Sequence, residues 1–307
     1  MSKIAFIFPG QGAQACGMGQ DFYEHTETGK RIFDKATELM GFSMPQLCFE
    51  ENDRLDITEY TQAAMVTASI AMMRVLEENG IKPDVAAGLS LGEYCALAAA
   101  GVMSDKDAIR TVRQRGILMQ EAVPVGEGAM AAILALDASA IEEVTGAMEG
   151  VWIANYNCPG QIVISGEKAA VEDACEKLKA AGAKRAVMLN VSGPFHSGML
   201  ADAGEKLGEV LSQVELHEPQ IPYVANVTAQ YVKSAAEVKE LLTRQVSSSV
   251  RWQQSVEAMI ADGVDTFIEI GPGKTLAGFM RKISRDVKTL NVEKLEDISK
   301  VAEALKS

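Results

Sequence analysis

The sequence predicts an α/β protein, with a large subdomain built on a parallel sheet and a small subdomain inserted in it. Three observations predict this. Ile4-Ala5-Phe6-Ile7-Phe8 is a continuous apolar run, the pattern of a strand buried on both faces of a parallel sheet. Gly88-Leu89-Ser90-Leu91-Gly92 joins a short apolar strand at 85–87 to an alanine-rich helix at 94–100, the strand, sharp turn and helix that expose a nucleophile. From Gly126 onward the pattern becomes strand, helix, strand, strand, helix, strand, a unit of about 65 residues.

The chain has 307 residues, enough for a large α/β domain with an insert. Its 48% hydrophobic and 23% charged residues are ordinary for a soluble globular protein. A net charge of −13 argues against binding a nucleic-acid backbone, although a local basic patch can still hold a small phosphate-bearing ligand. Cys16, Cys48, Cys95, Cys158 and Cys175 are scattered, without a Cys-x-x-Cys pair, and read as reduced, mostly buried thiols of a cytoplasmic protein. Cys95 lies on the helix beyond the elbow, where packing is the default. Met1-Ser2-Lys3 leads directly into a strand, so no signal peptide is expected, and no apolar run is long enough to span a membrane.

Taken in order, the first strand breaks at Pro9-Gly10-Gln11-Gly12. With Ala15 this loop fits a loose dinucleotide fingerprint, but that reading needs a second strand ending in an acid about 20 residues on. Residues 30–40 look helical instead, so the loop reads as a source of backbone donors beside an active site. Residues 62–78 form a helix apolar nearly all round, closed by Gly80, in which Met65, Met72 and Met73 are core filler. Lys82-Pro83-Asp84 turns into the strand at 85–87, and the elbow helix stops at Gly101. Ser104-Asp105 begins a further helix through Glu121, which carries Arg110, Arg113 and Arg115 and ends before Pro124.

In the small unit, strands are expected at 129–136, 151–156, 161–165 and 184–189, with helices at 139–148 and 169–181 and a turn at Cys158-Pro159-Gly160. The order βαββαβ is the ferredoxin-like arrangement. Residues 126–195 are therefore expected to form the small subdomain, and residues 1–125 with 196–307 the large one. Val191-Ser192-Gly193-Pro194-Phe195-His196 leads into a helix with Leu200, Ala203, Leu207, Val210, Leu211 and Val214 on one face. Strands at 221–225 and 266–270 are expected to complete the large sheet, with helices at 235–245 and 252–261 between them. Gly271-Pro272-Gly273-Lys274-Thr275 resembles the end of a phosphate loop, but Ile268 stands where glycine is needed, so it reads as a strand-to-helix turn. A terminal helix is expected at 295–305.

A serine hydroxyl is a poor nucleophile until a base takes its proton, and histidine suits that task near neutral pH. His25 and His217 lie among acidic, polar neighbours and read as surface residues. His196 follows a strand and precedes a helix, in a loop constrained by Gly193 and Pro194, and strand ends are where α/β folds assemble sites. Ser90 and His196 are thus expected to pair. No acidic third member is evident, and the order differs from hydrolases with this elbow, where an acid and then a histidine close the chain. A backbone carbonyl can orient the imidazole instead, fixing its tautomer without adding a charge.

Phe8-Pro9-Gly10-Gln11-Gly12, Gly88-Leu89-Ser90-Leu91-Gly92-Glu93, Gln114-Arg115-Gly116 with Met119-Gln120, residues 157–166, Pro194-Phe195-His196-Ser197 and Glu269-Ile270-Gly271-Pro272-Gly273 together resemble the malonyl-CoA:acyl carrier protein transacylases of type II fatty acid synthesis. The likeness covers essentially the whole chain in family order. It implies an α/β-hydrolase-like large subdomain with parallel sheet plus the inserted ferredoxin-like one, and a ping-pong reaction. Ser90 would attack malonyl-CoA with His196 as base, and the phosphopantetheine thiol of acyl carrier protein would then take the malonyl group. The resemblance assigns the oxyanion to the backbone N–H groups of Gln11 and Leu91, the malonyl carboxylate to Arg115, and the orientation of the histidine to the carbonyl of Gln245. Serine at 248–249 departs from the proline that commonly precedes Val-x-Trp there. Phe195 resembles the residue of malonyl-selective rather than methylmalonyl-selective members. Arg110 and Arg113 are expected to be solvated helix arginines. A monomer without cofactor is expected. Carrier proteins of this pathway are acidic, like this chain, so docking calls for a local basic surface; Lys184 with Arg185, and Arg281 with Lys282 and Arg285, are candidates. A serine esterase or a non-catalytic acyl-CoA or carrier-protein binding module are the other readings, against which Ser90, His196 and Arg115 stand together.

Overall fold

The structure, a computed structural model, describes residues 2–191 and 193–306. Met1, Ser307 and Ser192 of the loop before His196 lie outside the described residues.

Two sheets organise the chain. The larger contains β1 (Ile4–Phe8), β2 (Val85–Gly88), β7 (Tyr223–Val224), β8 (Thr266–Ile270) and β9 (Lys288–Val292) in the order β7-β2-β1-β8-β9. Every pairing in it is parallel, with Ala5 beside Val85 and Ile4 beside Thr266. The run at β1 is apolar because both faces are covered. Phe6 and Phe8 pack into a core under the helices Glu27–Met40, Thr58–Glu78 and Asp105–Glu121, while Ala5 and Ile7 face a second core containing Trp252, Phe267 and Met280. The helix Thr58–Glu78 is buried almost throughout from Thr58 to Leu76, as its all-round apolar sequence requires.

The smaller sheet is antiparallel, in the order β4-β5-β3-β6, from β3 (Gly128–Leu134), β4 (Val151–Cys158), β5 (Gln161–Glu167) and β6 (Arg185–Met188). The helices Ala138–Gly146 and Lys168–Ala180 complete the βαββαβ order. Ile133, Ile141, Ile164, Val171 and Leu178 form its own core. The edge strand β6 leaves Val187 and Met188 exposed.

Several elements differ from expectation. The large sheet is not completed at 266–270: β9 adds a parallel edge strand, and the strand expected at 221–225 is only Tyr223–Val224. Short helices Gln20–His25 and Met44–Phe49 were not expected either. The helix after His196 starts as a 3-10 turn, Gly198–Leu200, and runs as Ala201–Leu211, with Val210 and Val214 only half buried. The terminal helix is Asp297–Ala304. After β8 the chain makes a strand-to-helix turn, where the buried Glu269 carboxylate accepts the Leu276 and Ala277 N–H groups at 2.9 and 2.8 Å, capping the helix Thr275–Ile283.

Parallel strands all point one way, so their C-terminal ends share one edge of the sheet. Gln11, Ser90 and Asn226 each follow such an end, after β1, β2 and β7. That edge carries the candidate site.

Candidate active site

The turn after β2 is built from two close backbone approaches. A Cβ on Gly88 would lie 2.0 Å from the Gly92 backbone, and one on Gly92 would lie 2.2 Å from the Phe8 carbonyl oxygen. Only glycine fits at either place. Between them Ser90 takes φ +51°, a left-handed conformation that costs a non-glycine residue energy and lifts its side chain out of the turn.

Asn226 clamps this turn from the neighbouring strand end. Its side-chain oxygen accepts the Ser90 N–H at 2.6 Å, and its amide nitrogen donates to the Gly88 carbonyl at 2.7 Å. The Asn226 N–H in turn donates to Glu93 at 3.1 Å.

His196 is buried, also with a left-handed φ of +59°, and its Nε2 lies 2.7 Å from Ser90 Oγ. Its Nδ1 lies 2.8 Å from the carbonyl oxygen of Gln245, the last residue of the helix Ala235–Gln245. A carbonyl can only accept, so Nδ1 carries the hydrogen and Nε2 is left as the acceptor facing the serine hydroxyl. Burial first, and then the Arg115 charge, push the imidazole down to about 4. It is therefore neutral at pH 7 and able to take a proton.

Arg115 closes the other side. It is 1% exposed, and Nη2 donates to Ser90 Oγ and to Gln245 Oε1, both at 3.1 Å, while Nη1 donates to Gln62 Oε1 at 2.9 Å. These partners are neutral, and Arg115 Nε is buried without a partner among the described residues. The helix carrying Arg115 comes close because of Gly116, where a Cβ would stand 2.7 Å from Glu59 Cα on the helix Thr58–Glu78. Gln62 on that second helix also ties in the first loop, its Nε2 lying 3.4 Å from Gln11 Oε1.

The structure thus brings Ser90, His196, Arg115, Gln245 and the Gln11 loop together. Among the described residues no acceptor in the chain meets the backbone N–H of Gln11 or Leu91. Phe195 is 7% exposed and packs with the main core next to Gly193. A surface cleft of about 330 Å³ opens at His196, lined by Trp152, Val227, Arg244, Ser248 and Arg251. His25 and His217 are exposed, away from any such cluster. Arg113 corrects an expectation: it is no free solvated arginine but pairs with Glu59 at 2.7 Å and sits 4.4 Å from the Tyr60 ring centroid. Arg110 is exposed as expected.

Over residues 5–300 the chain matches the acyl transferase domain family. It is 50% identical to the malonyl CoA-acyl carrier protein transacylase of Bacillus subtilis (strain 168), covering 100% of this chain and 98% of that one. The chain belongs to the acyl transferase domain family. Among solved structures, this acyl transferase domain superposes on the malonyl CoA-acyl carrier protein transacylase from Clostridium perfringens with TM-score 0.96 and 42% identity, over 99% of this chain and 98% of that one. It also superposes on a chain of a structure described as a type II PKS acyl-carrier protein in complex with its malonyl-transacylase, at TM-score 0.95 and 40% identity over 99% of this chain and 100% of that one.

In this acyl transferase domain three polar residues of the site had no functional reading in the sequence. Gln62, Glu93 and Asn226 are each 1% exposed and hold the groups that face the serine. Glu93 was part of a recognised motif, and Gln62 was read only as the start of a helix. Asn226 sits one residue beyond an expected strand, a position that marks strand-end sites but gives no sign by itself of which amide is used.

Proposed function

We propose that this acyl transferase domain moves malonyl groups from malonyl-CoA to the phosphopantetheine thiol of acyl carrier protein for fatty acid elongation, by a ping-pong exchange through malonyl-Ser90. Relatives alike over the full length bear the transacylase name, and one solved neighbour holds a carrier protein. The observation that carries the reading is the Arg115 guanidinium, buried 3.1 Å from the Ser90 hydroxyl with only neutral partners. An acyl group that itself ends in a carboxylate supplies the anion this cation lacks, and a guanidinium can hold it bidentately.

The chemistry follows from the atoms in place. His196 Nε2 takes the Ser90 hydroxyl proton as Oγ attacks the thioester carbonyl carbon. The N–H groups of Gln11 and Leu91 receive the oxyanion, each such donor being worth about 3 kcal/mol of barrier. The C–S bond breaks, and the imidazolium returns its proton to the CoA sulfur. In the second half His196 takes the proton of the carrier's thiol, the sulfur attacks the malonyl ester, and Ser90 Oγ leaves with that proton. The Gln245 carbonyl holds the imidazole in the tautomer both halves need. Phe195, next to the base, favours malonyl over bulkier acyl groups. The scheme calls on no cofactor.

In the same reading residues 1–125 and 196–307 form an α/β-hydrolase-like subdomain, residues 126–195 a ferredoxin-like insert, and the protein works as a cytoplasmic monomer. Intact-protein mass spectrometry after brief mixing with malonyl-CoA tests the mechanism. One malonyl group should appear on the wild type and none on Ser90→Ala; label that survives the substitution removes Ser90 from the reaction.

A further inference from the structure

The unexplained group in the site is Glu93, the first residue of the elbow helix Glu93–Ala99. It is a carboxylate 1% exposed, three residues from Ser90, with Oε1 buried and without a partner among the described residues. Burying such a group costs free energy unless it is paired and hydrogen-bonded. Its other oxygen, Oε2, accepts the Asn226 N–H at 3.1 Å and the Gln245 side-chain Nε2 at 2.7 Å.

The orientation of the Gln245 amide matters more than its presence. With Oε1 toward Arg115, as here at 3.1 Å, the amide attracts the guanidinium; turned over, it would present an NH2 to a cation. The choice is made on the other side of the amide, where Nε2 meets Glu93 Oε2, the Ser90 carbonyl at 3.0 Å and, more distantly, Asn226 Oδ1 at 3.4 Å. The shortest of these partners is Glu93. Two donors converge on Oε2, so any proton the acid takes goes to Oε1, and Oε2 stays an acceptor. Burial raises the acid to about 7, partly offset by these donors and by Arg115, and the orienting role is the same in either state.

Glu93 also stands at a useful remove. It feels the Arg115 charge, yet no carboxylate makes an ion pair with that guanidinium among the described residues. Direct contact would neutralise the cation before substrate arrived. An acid acting through a neutral amide gives direction to the guanidinium and leaves its charge available.

We propose that Glu93 is a positioning residue for acyl-group selectivity: through the side-chain amide of Gln245 it aims the Arg115 guanidinium at the carboxylate end of the acyl donor. The inference rests on the malonyl-transfer reading. Its substrates are donors with a terminal carboxylate.

The test is the acylation half-reaction, followed by intact mass, with malonyl-CoA and with acetyl-CoA, which lacks the carboxylate. Glu93→Met removes the acceptor at similar volume, and Glu93→Asp withdraws it by one methylene and keeps the charge in case the first variant does not fold. Both should raise KM for malonyl-CoA about 10-fold, as loss of one buried charged hydrogen bond predicts, and should weaken malonyl-CoA acylation clearly more than acetyl-CoA acylation. Glu93→Gln, able to place its amide oxygen at the Oε2 position, should restore malonyl-CoA KM to within about 3-fold of wild type. An equal loss for both donors in the folded variants means Glu93 only supports the fold, and an unchanged malonyl-CoA KM means it does not aim Arg115; either overturns the proposal, as does Glu93→Gln behaving like Glu93→Met. Wild type that takes no label from malonyl-CoA instead overturns the malonyl-transfer reading itself.

Discussion

At the level of single residues, the site works by holding charges off one another. His196 donates from Nδ1 to a carbonyl, not to an acid, and lies in the field of Arg115, so its backbone hydrogen bonds only partly offset the cost of burying its charged form. The sign of the pH dependence follows. The neutral imidazole is the base, so acylation of the free enzyme should hold as pH falls below the ordinary histidine value near 6.5 and be lost only as it approaches about 4. A pH profile of kcat/KM for malonyl-CoA checks this, and an acid limb at 6.5 would contradict it. Folding is linked to the same proton. Since the folded pKa lies below the unfolded one, the unfolded chain binds more protons between these values, and this group's contribution to stability is full above 6.5 and declines as pH falls toward 4. Ser90 and His196 were legible in the sequence because their side chains have distinctive chemistry and glycine or proline marks their turns. Gln62 and Asn226 were not, because an amide is common everywhere and becomes informative only when its partners are known.

At the level of elements, glycine positions set the geometry more tightly than any polar contact. Gly116 allows the helix Asp105–Glu121 to lie against Thr58–Glu78, and this contact puts Arg115 within reach of Gln62. Gly116→Ala must push the helices apart, because the obstructing atoms are backbone and cannot rotate away. The expected cost is about 1–3 kcal/mol of stability, the usual range for overpacking. Thermal denaturation together with malonyl-CoA and acetyl-CoA acylation measures it: stability should fall and malonyl transfer should drop more than acetyl transfer. An unchanged Tm would show that the helix contact is looser than described. Long periodic helices and the buried strand β1 were read correctly because burial on all sides leaves a dense apolar record. The strand β9 escaped because Lys288–Val292 is an edge strand with one buried residue, so its sequence, Lys-Thr-Leu-Asn-Val, lacks a clear period. The strand β7 was overextended because the apolar run at 221–225 outlasts its pairing, which involves two residues.

At the level of the whole molecule, the question is how a chain of net charge −13 would meet the acyl carrier protein proposed above, which the resemblance implies is acidic as well. Lys184 and Arg185 are exposed where β6 begins, and Arg281, Lys282 and Arg285 are exposed at the end of the helix Thr275–Ile283 and just beyond it. Reversing charge at Lys184 and Arg185 should slow transfer to acyl carrier protein about 10-fold at low salt while acylation from malonyl-CoA is preserved, since rim charges act mainly on encounter. Equal loss in the two half-reactions would exclude these residues from docking. The βαββαβ order was readable in advance because glycine marks most ends of the small unit's strands and helices, at Gly126, Gly146, Gly150, Gly160 and Gly182. Among the described residues no helix is long and apolar enough to cross a membrane.

One connection between the two sheets has a mechanical meaning. Five residues beyond Gln245, Val250 exchanges hydrogen bonds with β4, donating to the Ala154 carbonyl at 2.8 Å and accepting from the Tyr156 N–H at 2.9 Å, while the Ser249 hydroxyl reaches the Ile153 carbonyl. The peptide whose carbonyl steadies the imidazole is therefore stitched to the antiparallel sheet. The histidine itself hangs eight residues from the far edge of that sheet, after β6. Both leashes of the proton acceptor are anchored on the same plate, so any rocking of that plate against the nucleophile's side would tug base and tether in concert and preserve their mutual alignment.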